Sequence, residues 1–202
     1  MKSNKPSLSE DLLLTPRLTM APLKPADAVS LQPLASRREI ADTTISIPHP
    51  LSEATARDWI RDQVESDHQG QSTHRVLRHR SDAVCLGCIC LRGIDQEHLQ
   101  AELSLWIAVE FWGKGYGTEA TRAVVALGFE GLGLNRIHAH HMVRNPGSGR
   151  VLEKVGFQRE GLLRQRVIKW GVFEDVILLG LLKREASWTT DHWREITKRE
   201  AT

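Results

Sequence analysis

The chain has 202 residues, of which 41% are hydrophobic and 26% are charged, and these values are typical of a globular protein and exclude a disordered one. Its formal net charge of +2 gives no electrostatic basis for nucleic acid or an anionic membrane as the main partner. Because no segment has the apolar length of a signal sequence or a bilayer span, we expect a cytoplasmic protein with a single domain over residues 1–202.

Turn residues and apolar periodicity predict the elements of the first third of the chain. They are a strand over 12–23 with an irregularity at Pro16, a helix over 27–40, a loop over 42–50 and a second helix that follows Ser52. Pro48 and Pro50 prevent regular structure in the loop. Ser52 is a favourable N-cap for the second helix, which ends at Gly70.

The rest of the chain has mainly the periodicity of strands. We predict helices over 118–129 and 148–155, and strands over 73–79, 83–94, 101–109, 136–143, 165–170 and 172–182. The last two strands form a hairpin about Gly171. The element order βααβββαβαββ predicts an α+β fold, in which one mixed sheet is flanked by helices. The core of the domain should cover about 11–183, and the tail at 184–202 should form a short docked helix.

The sequence contains two clusters of residue types that can bind metals: Cys85, Cys88 and Cys90, and His138, His140 and His141. The Cys85–Cys88 spacing occurs in zinc sites, but the stretch AVCLGCICL has a strand pattern and no second cysteine pair completes a site. The three cysteines are therefore interpreted as small core residues. The histidines have no neighbouring carboxylate or cysteine in sequence, so we interpret them as ordinary strand residues, of which one could line a cleft. We expect no metal.

A glycine-rich segment, VEFWGKGYGTEA, connects a predicted strand to a predicted helix. Gly113, Gly115 and Gly117 occupy alternate positions, and glycine permits positive φ angles and a close approach of a ligand to the backbone. The segment runs into a helix N-terminus, where free N–H groups and the helix dipole favour an anion. This combination predicts a phosphate or pyrophosphate site, although a glycine-rich turn without a ligand has the same local pattern.

Two common phosphate-binding patterns do not fit this segment. A P-loop requires G-x-x-x-x-G-K-[ST], which the segment does not supply. A dinucleotide fingerprint requires G-x-G-x-x-G in a parallel βαβ unit, with an acidic residue at the end of the next strand. The glycine spacing here is different, and the strand that begins near Asn135 ends without an acid.

The hexapeptide WGKGYG at 112–117 resembles the acyl-CoA loop of the GNAT superfamily of N-acetyltransferases, a pattern near [QR]-x-x-G-x-[GA]. Trp112 replaces the usual Gln or Arg, a change that is frequent in the RimJ/RimL-like branch. NPGSGRVLEKVGF at 145–157 resembles the N-x-x-S-x-x-x-x-E-K-x-G-F element of that branch, and LTPRL at 14–18 resembles its opening strand. IPHP at 47–50 and Trp59-Ile60 resemble its substrate-side helix–loop–helix. The resemblance extends in order to about Leu182.

This resemblance implies a mostly antiparallel sheet of about seven strands, which splays at the acyl-CoA site between the strand ending at Val109 and the strand over 136–143. It implies acetyl-CoA as co-substrate, with pantetheine on the backbone of Ile107 and Val109 and pyrophosphate on the N–H groups of the glycine loop. Lys114 could add charge there or could be a solvated loop lysine. The implied cofactor-binding residues are Ile107, Val109, Trp112, Gly113, Lys114, Gly115, Tyr116, Gly117, Thr118, Asn145 and Ser148.

Acetyl transfer to an amine requires a neutral nucleophile, a polarised thioester carbonyl and a proton for the departing thiolate. Strand alternation places Glu102 with Ser104 and Trp106 on a less apolar face, which the family turns toward the cleft. A partly desolvated carboxylate suits proton relay, so we expect Glu102 to be the general base. A solvent-exposed strand glutamate is the alternative interpretation.

The N-x-x-S element implies that Ser148 is the general acid toward the CoA sulfur. Helix N-capping is an alternative or additional role for this serine. Asn145 is expected to anchor the cofactor arm or the loop. Because the only tyrosine, Tyr116, lies in the glycine loop, we do not expect a tyrosine acid.

Several functions are compatible with these features. In an acetyltransferase the acceptor is expected to be a protein N-terminal α-amine, and the alternative is a small amine such as an amino acid, a polyamine or a drug. A non-catalytic acyl-CoA-binding module and an unrelated phosphate-binding or interaction domain are two further hypotheses. The branch is also compatible with a homodimer, whereas no nucleic acid or membrane partner is expected.

Overall fold

The computed structural model describes residues 12–197, so the predictions for 1–11 and 198–202 lie outside the described residues. Six α-helices lie in this range: α1 Ala28–Ala35, α2 Arg38–Thr43, α3 Glu53–His68, α4 Tyr116–Ala126, α5 Pro146–Val155 and α6 Thr189–Ile196. Eight strands form the sheet: β1 Leu13–Leu14, β2 Leu18–Pro22, β3 Ser72–His79, β4 Cys85–Asp95, β5 Gln100–Ile107, β6 Arg136–Met142, β7 Gln158–Lys169 and β8 Val172–Leu182.

The strands form one sheet in the order β1-β2-β3-β4-β5-β6-β8-β7. Among the strands of the described range only β5 and β6 are parallel neighbours, and the other pairs are antiparallel. The predicted α+β fold with a mostly antiparallel sheet is therefore confirmed. The strand predicted over 12–23 is two strands, because Pro16 lacks an N–H and the chain turns there, with Thr15 N–H donating to the Leu18 carbonyl at 2.9 Å.

The sheet opens between its two parallel strands. β5 and β6 pair only where residues 100–102 lie beside 136–138, and Glu102 and His138 are the last partners. Beyond that point β5 continues to Ile107 along β4, whereas β6 continues to Met142 along β8. The implied splay is therefore present, and it leaves a gap between the carboxyl-terminal halves of the two strands.

Helices cover both faces of the sheet. On one face α4, α5 and α6 pack over the larger apolar core, to which α4 contributes the fully buried Ala120, Ala123 and Val124. On the other face α1 and α3 cover a smaller cluster that includes Leu31, Ile60 and Cys88. The gap in the sheet lies between these two layers.

Some element boundaries differ from prediction. The helix predicted over 27–40 is α1 and α2, because Arg37 has an extended backbone with ψ of 134°, and no glycine or proline at that point signals the break. β7 begins at Gln158, whereas the prediction began at 165. The alternation in this strand is interrupted by an irregular register with β8 and by a positive φ at Gln165. α4 and α5 each begin two residues before the predicted start.

Within the tail, residues 189–196 form α6, with Ile196 buried and Trp188 and Trp193 packed against the main core. Between residues 12 and 197 there is no helix with the length and apolar character required to span a membrane.

Candidate active site

A cleft of about 460 Å³ occupies the gap between β5 and β6. Most of the residues predicted to form the site line it: Glu102, Ile107, Trp112, Gly113, Gly115, Tyr116, Gly117, Thr118, Asn145 and Ser148. Val109 and Lys114 are not among the lining residues, and the Lys114 ammonium lies 5.6 Å from the centre of the Phe111 ring. The predicted residues are thus brought to one cavity, apart from these two.

The carboxyl-terminal half of β5 presents free backbone to the cleft. Ala108 N–H donates to the Leu86 carbonyl at 2.7 Å. The backbone N–H and carbonyl groups of every second residue of β5 therefore point toward β4, and those of Leu105 and Ile107 point to the opposite side. On that side β6 has already diverged. Unpaired main-chain groups therefore face the gap, where an extended amide-containing ligand could take the place of a strand.

Residues 113–118, the glycine loop, combine tight turns with a helix start. Gly113 and Gly115 have φ of 72° and 84°, and Gly115 is the N-cap of α4. A side chain on Gly117 would come within 3.4 Å of Leu105 and Val151. The first N–H groups of α4 have no partner within the helix, so they and the helix dipole favour an anion at this end of the cleft.

A buried hydroxyl extends this polar wall. Thr121, in the second turn of α4, is fully buried, lines the cleft, and its Oγ1 has no hydrogen-bond partner within the described part of the chain. Together with the glycine loop, this hydroxyl shows that the residues fit a ligand with phosphate and other polar atoms.

Trp112 connects the glycine loop to the end of β5. Its indole Nε1–H donates to the Ile107 carbonyl at 2.6 Å, and its backbone N–H donates to the Val109 carbonyl at 3.1 Å. Both carbonyls are therefore used within the turn. If Ile107 pairs with a bound ligand, its N–H group is the part of the backbone that remains for that contact.

An ion pair that the sequence analysis missed holds the glycine loop from outside. Arg17 donates from Nε to Glu119 at 2.7 Å and from Nη1 to the Lys114 carbonyl at 2.9 Å. Its guanidinium also lies 4.2 Å from the centre of the Tyr116 ring. Burial alone would raise the pKa of Glu119, but hydrogen bonds from Thr15 and Arg17 hold that pKa below its usual value. Arg17 lies within the LTPRL segment, but its partners are about a hundred residues away in sequence.

The start of α5 is built around Asn145. Its Oδ1 accepts from the backbone N–H of Ser148 at 3.3 Å, and its Nδ2 donates to the Thr43 carbonyl at 3.1 Å. The helix is therefore capped by Asn145 and not by Ser148. The Ser148 hydroxyl lines the cleft and has no hydrogen bond with any described residue, so it is available to a ligand.

Glu102 lies where the two parallel strands part. Its Oε1 accepts from Arg92 on β4 at 2.5 Å and is 3.3 Å from His140 Nδ1 on β6. Arg92, Glu102 and His140 all line the cleft. Sequence alternation identified Glu102, but Arg92 and its contact with Glu102 were not predicted.

His141 and Cys88, whose residue types can bind metals, lie in the packed interior of the protein. The His141 ring is buried, bonds the Met142 carbonyl at 2.9 Å and packs against Gly149 of α5. Cys88 is fully buried, and burial raises the pKa of its thiol. Within residues 12–197 no group of three or more histidine, cysteine or acidic side chains is arranged to hold a metal.

The end of the cleft opposite the glycine loop is lined by side chains from several elements. They include residues 43–47, Trp59 and Gln63 of α3, and His74. The tip of the β7–β8 hairpin is fixed to this region, because Trp170 Nε1 donates to Asp42 at 2.7 Å and Lys169 Nζ donates to the Ile47 carbonyl at 3.1 Å. The hairpin tip thus contacts both the end of α2 and the loop over 44–52.

A charged pair lies beneath this end of the cleft. His74 Nδ1 is 2.7 Å from Asp67, and its ring meets Trp59 edge-on at 6.1 Å. Burial would lower the pKa of His74, but interactions with Asp67 and Cys90 more than offset it and the pKa is raised to about 9. The histidine is therefore positively charged at neutral pH.

Comparison with known proteins identifies the family. A model described as "Acetyltransferase (GNAT) domain" matches residues 17–158. The chain is 33% identical over 175 residues to "Putative ribosomal N-acetyltransferase YdaF" of Bacillus subtilis (strain 168), covering 83% of this chain and 92% of that one. It is 24% identical to the spermidine N(1)-acetyltransferase of Vibrio cholerae serotype O1, covering 83% and 94%.

The fold agrees with these matches. A solved structure of "RimL- Ribosomal L7/L12 alpha-N-protein acetyltransferase in complex with Coenzyme A" superposes with a TM-score of 0.80, at 15% identity, over 85% of this chain and 98% of that one. With the splayed sheet and the glycine loop, these matches confirm the predicted resemblance. The chain belongs to the GNAT acetyltransferase family, in its RimJ/RimL-like branch, and is an acetyl-CoA-dependent N-acyltransferase.

Proposed function

We propose that the acceptor is the α-amine of a protein N-terminus. The observation that carries the proposal is the charge of the cleft. Among the residues of 12–197 that line the cleft, Glu102 is the only acidic one, and it is already paired with Arg92. A site with one paired acid can accept a single amine but offers nothing to the further charges of a polyamine.

The basic residues of the cleft support the same choice. Arg92, Arg150 and Lys154 line it, and the charged His74 lies at its acceptor end. These groups would repel spermidine, which carries several positive charges, so we do not expect a polyamine as the acceptor. A peptide N-terminus carries one charge, followed by backbone amides that can pair with strand or loop groups.

The cofactor is proposed to bind along β5 and at the glycine loop. Residues 113–118 would hold the pyrophosphate through N–H groups, and the backbone of Leu105 together with the N–H of Ile107 would pair with the pantetheine arm. Acetyl-CoA supplies an activated acetyl thioester. Asn145 keeps the first turn of α5 and the Thr43 carbonyl in place, and so orients the Ser148 hydroxyl in the cleft.

Two side chains are proposed to assist proton transfer. Glu102, at the point where the strands part, promotes the loss of the amine proton, directly or through a neighbouring group. Ser148, whose hydroxyl has no other described partner, gives a proton to the departing thiolate. A backbone N–H near Ile107 would polarise the thioester carbonyl.

The acceptor is tested with labelled acetyl-CoA and three groups of amines: unblocked peptides with different first residues, the same peptides with a blocked N-terminus but a free lysine, and spermidine. We expect label only in the unblocked peptides. Faster labelling of spermidine or of an amino acid would contradict the proposed acceptor. Tight CoA binding without transfer to any amine would favour the acyl-CoA-binding module.

A further inference from the structure

The contact between Glu102 and His140 bears on the identity of the general base, the atom that takes the proton from the amine. An inference about that base rests on the proposed function. Glu102 and His138 are the last paired residues before the strands diverge, and His140 is two residues further along β6 on the same face. Despite the divergence, His140 Nδ1 and Glu102 Oε1 are 3.3 Å apart. The two side chains therefore bridge the gap at its closed end.

The Glu102 carboxylate is poorly placed to accept a proton. Its Oε1 already accepts from the Arg92 guanidinium, and the side chain is only 22% exposed. A guanidinium stays charged throughout the accessible pH range, so protonating the carboxylate would weaken a partly buried ion pair. The same contact holds the carboxylate in place, and a carboxylate so held can orient a neighbouring imidazole.

His140 has the complementary properties. Its side chain is 24% exposed and lines the cleft. Burial lowers its pKa below the usual imidazole value, with Glu102 opposing this shift and Arg92, His138 and Arg166 acting with burial. These are the charged groups that act on the ring from β5, β4, β6 and β7. The ring is thus neutral at pH 7, and the carboxylate favours the proton on Nδ1, which leaves the lone pair on Nε2.

We propose that Nε2 of His140 is the general base of the transfer and that Glu102 is a positioning residue for it. The acceptor ammonium gives one proton to Nε2. The amine lone pair forms the C–N bond to the acyl carbon, and the C–S bond breaks with its electron pair on sulfur. A second proton passes from nitrogen to that sulfur through the Ser148 hydroxyl, which gives one proton and regains one.

His140 then returns its proton to solvent. In the net reaction an ammonium and a thioester give an amide, a free thiol and one proton, so atoms and charge balance. The arrangement follows that of other sites in which a carboxylate fixes the tautomer of a catalytic histidine.

The test compares His140→Gln, Glu102→Gln and the double variant, with His138→Gln as the matched control. His138 lies on the same strand and face, and burial also lowers its pKa, but it does not line the cleft. General base catalysis typically contributes about two to four orders of magnitude, so we expect His140→Gln to lower kcat/KM about a hundredfold. Glu102→Gln should cost about tenfold, and the double variant should be no slower than His140→Gln within about threefold.

The acid limb of the pH profile should be lost in His140→Gln and kept in His138→Gln. Multiplied losses in the double variant, or His140→Gln within threefold of wild type, would overturn the assignment and make Glu102 the base. Acetyl-CoA affinity, measured by titration, should be unchanged in all four variants, so loss of cofactor binding is distinguished from loss of the base.

A second measurement on the wild-type protein does not depend on any acceptor or variant. Long-range ¹⁵N–¹H NMR spectra at pH 7 should show His140 as a neutral ring protonated on Nδ1. An imidazolium, or a ring protonated on Nε2, would overturn the proposal even if the acceptor were wrongly identified.

Discussion

The two ends of the cleft are built in different ways. At the cofactor end, β5 and the glycine loop present mainly backbone, with Gly113 and Gly115 in conformations that favour glycine. At the acceptor end, side chains of Trp59, Arg92 and Glu102 come from α3, β4 and β5. A backbone site depends on a few glycines that are contiguous in sequence, whereas a side-chain site depends on contacts between distant segments. The first can be recognised in a sequence, and the second is set by the fold.

The largest expected effect tests the backbone end. Gly115→Val places a branched side chain at a φ of 84° with Arg17 within 3.4 Å, so the loop must move. We expect acetyl-CoA affinity to fall at least about a hundredfold, or about 2.7 kcal/mol, in calorimetric titration. Gly133→Val is the control, because Gly133 also has a positive φ, 71°, but is not part of the cleft lining. Unchanged affinity in Gly115→Val would place the phosphate site elsewhere.

Ser148→Ala tests the junction of the two ends. An interaction made with the departing sulfur belongs to the transition state, so kcat should fall by about tenfold or more while KM for acetyl-CoA changes little. Because Asn145 caps the helix, the variant should keep the stability of wild type. A stability loss with normal turnover would reduce Ser148 to a structural residue.

The acceptor end should respond to pH through His74. The folded pKa of about 9 is above the usual value near 6.5. The pair with Asp67 therefore stabilises the fold fully below about pH 6.5, and this contribution is lost as pH rises through about 9. We expect it to be on the order of 1–3 kcal/mol. Thermal unfolding at pH 6 and 9 should show a larger drop in wild type than in His74→Gln, and equal drops would refute the charged pair.

The smallest expected effect concerns the side-chain support of the backbone end. Arg17→Ala removes the bonds to Glu119 and to the Lys114 carbonyl. Since Arg17 is 42% exposed, the loss should be modest, about three- to tenfold in acetyl-CoA affinity. Arg57→Ala, which breaks the exposed pair with Glu53 on α3, is the control and should leave affinity unchanged. If both variants bind equally well, the loop does not need its external contact.

The sequence predicted the fold where local signals are strong. The glycine loop, the helix that follows it and the β7–β8 turn at Gly171 were all identified, because periodicity and glycine are properties of neighbouring residues. The part of β7 before residue 165 was missed because its side chains are largely exposed, so the alternation expected of a strand is absent.

The missing parts of the site involve contacts between distant segments. Arg17 and Glu119 are separated by 102 positions, and Trp170 and Asp42 by 128. Arg92 meets Glu102 only because β4 and β5 pair in a particular register. Neither periodicity nor a motif reports such contacts, since each residue taken alone resembles an ordinary surface charge or loop residue.

A crystal structure of the complex with CoA tests most directly the central claim that the gap between β5 and β6 is the active site, since one ligand has to extend from the cofactor end of the cleft toward the acceptor end. The pyrophosphate should lie within hydrogen-bond distance of the N–H groups of 113–118. The pantetheine should run beside Leu105 and Ile107 in the gap between β5 and β6, with the sulfur within reach of the Ser148 hydroxyl and the Glu102–His140 pair beyond it. A pyrophosphate bound away from the glycine loop, or a thiol that ends outside the gap, would contradict the account.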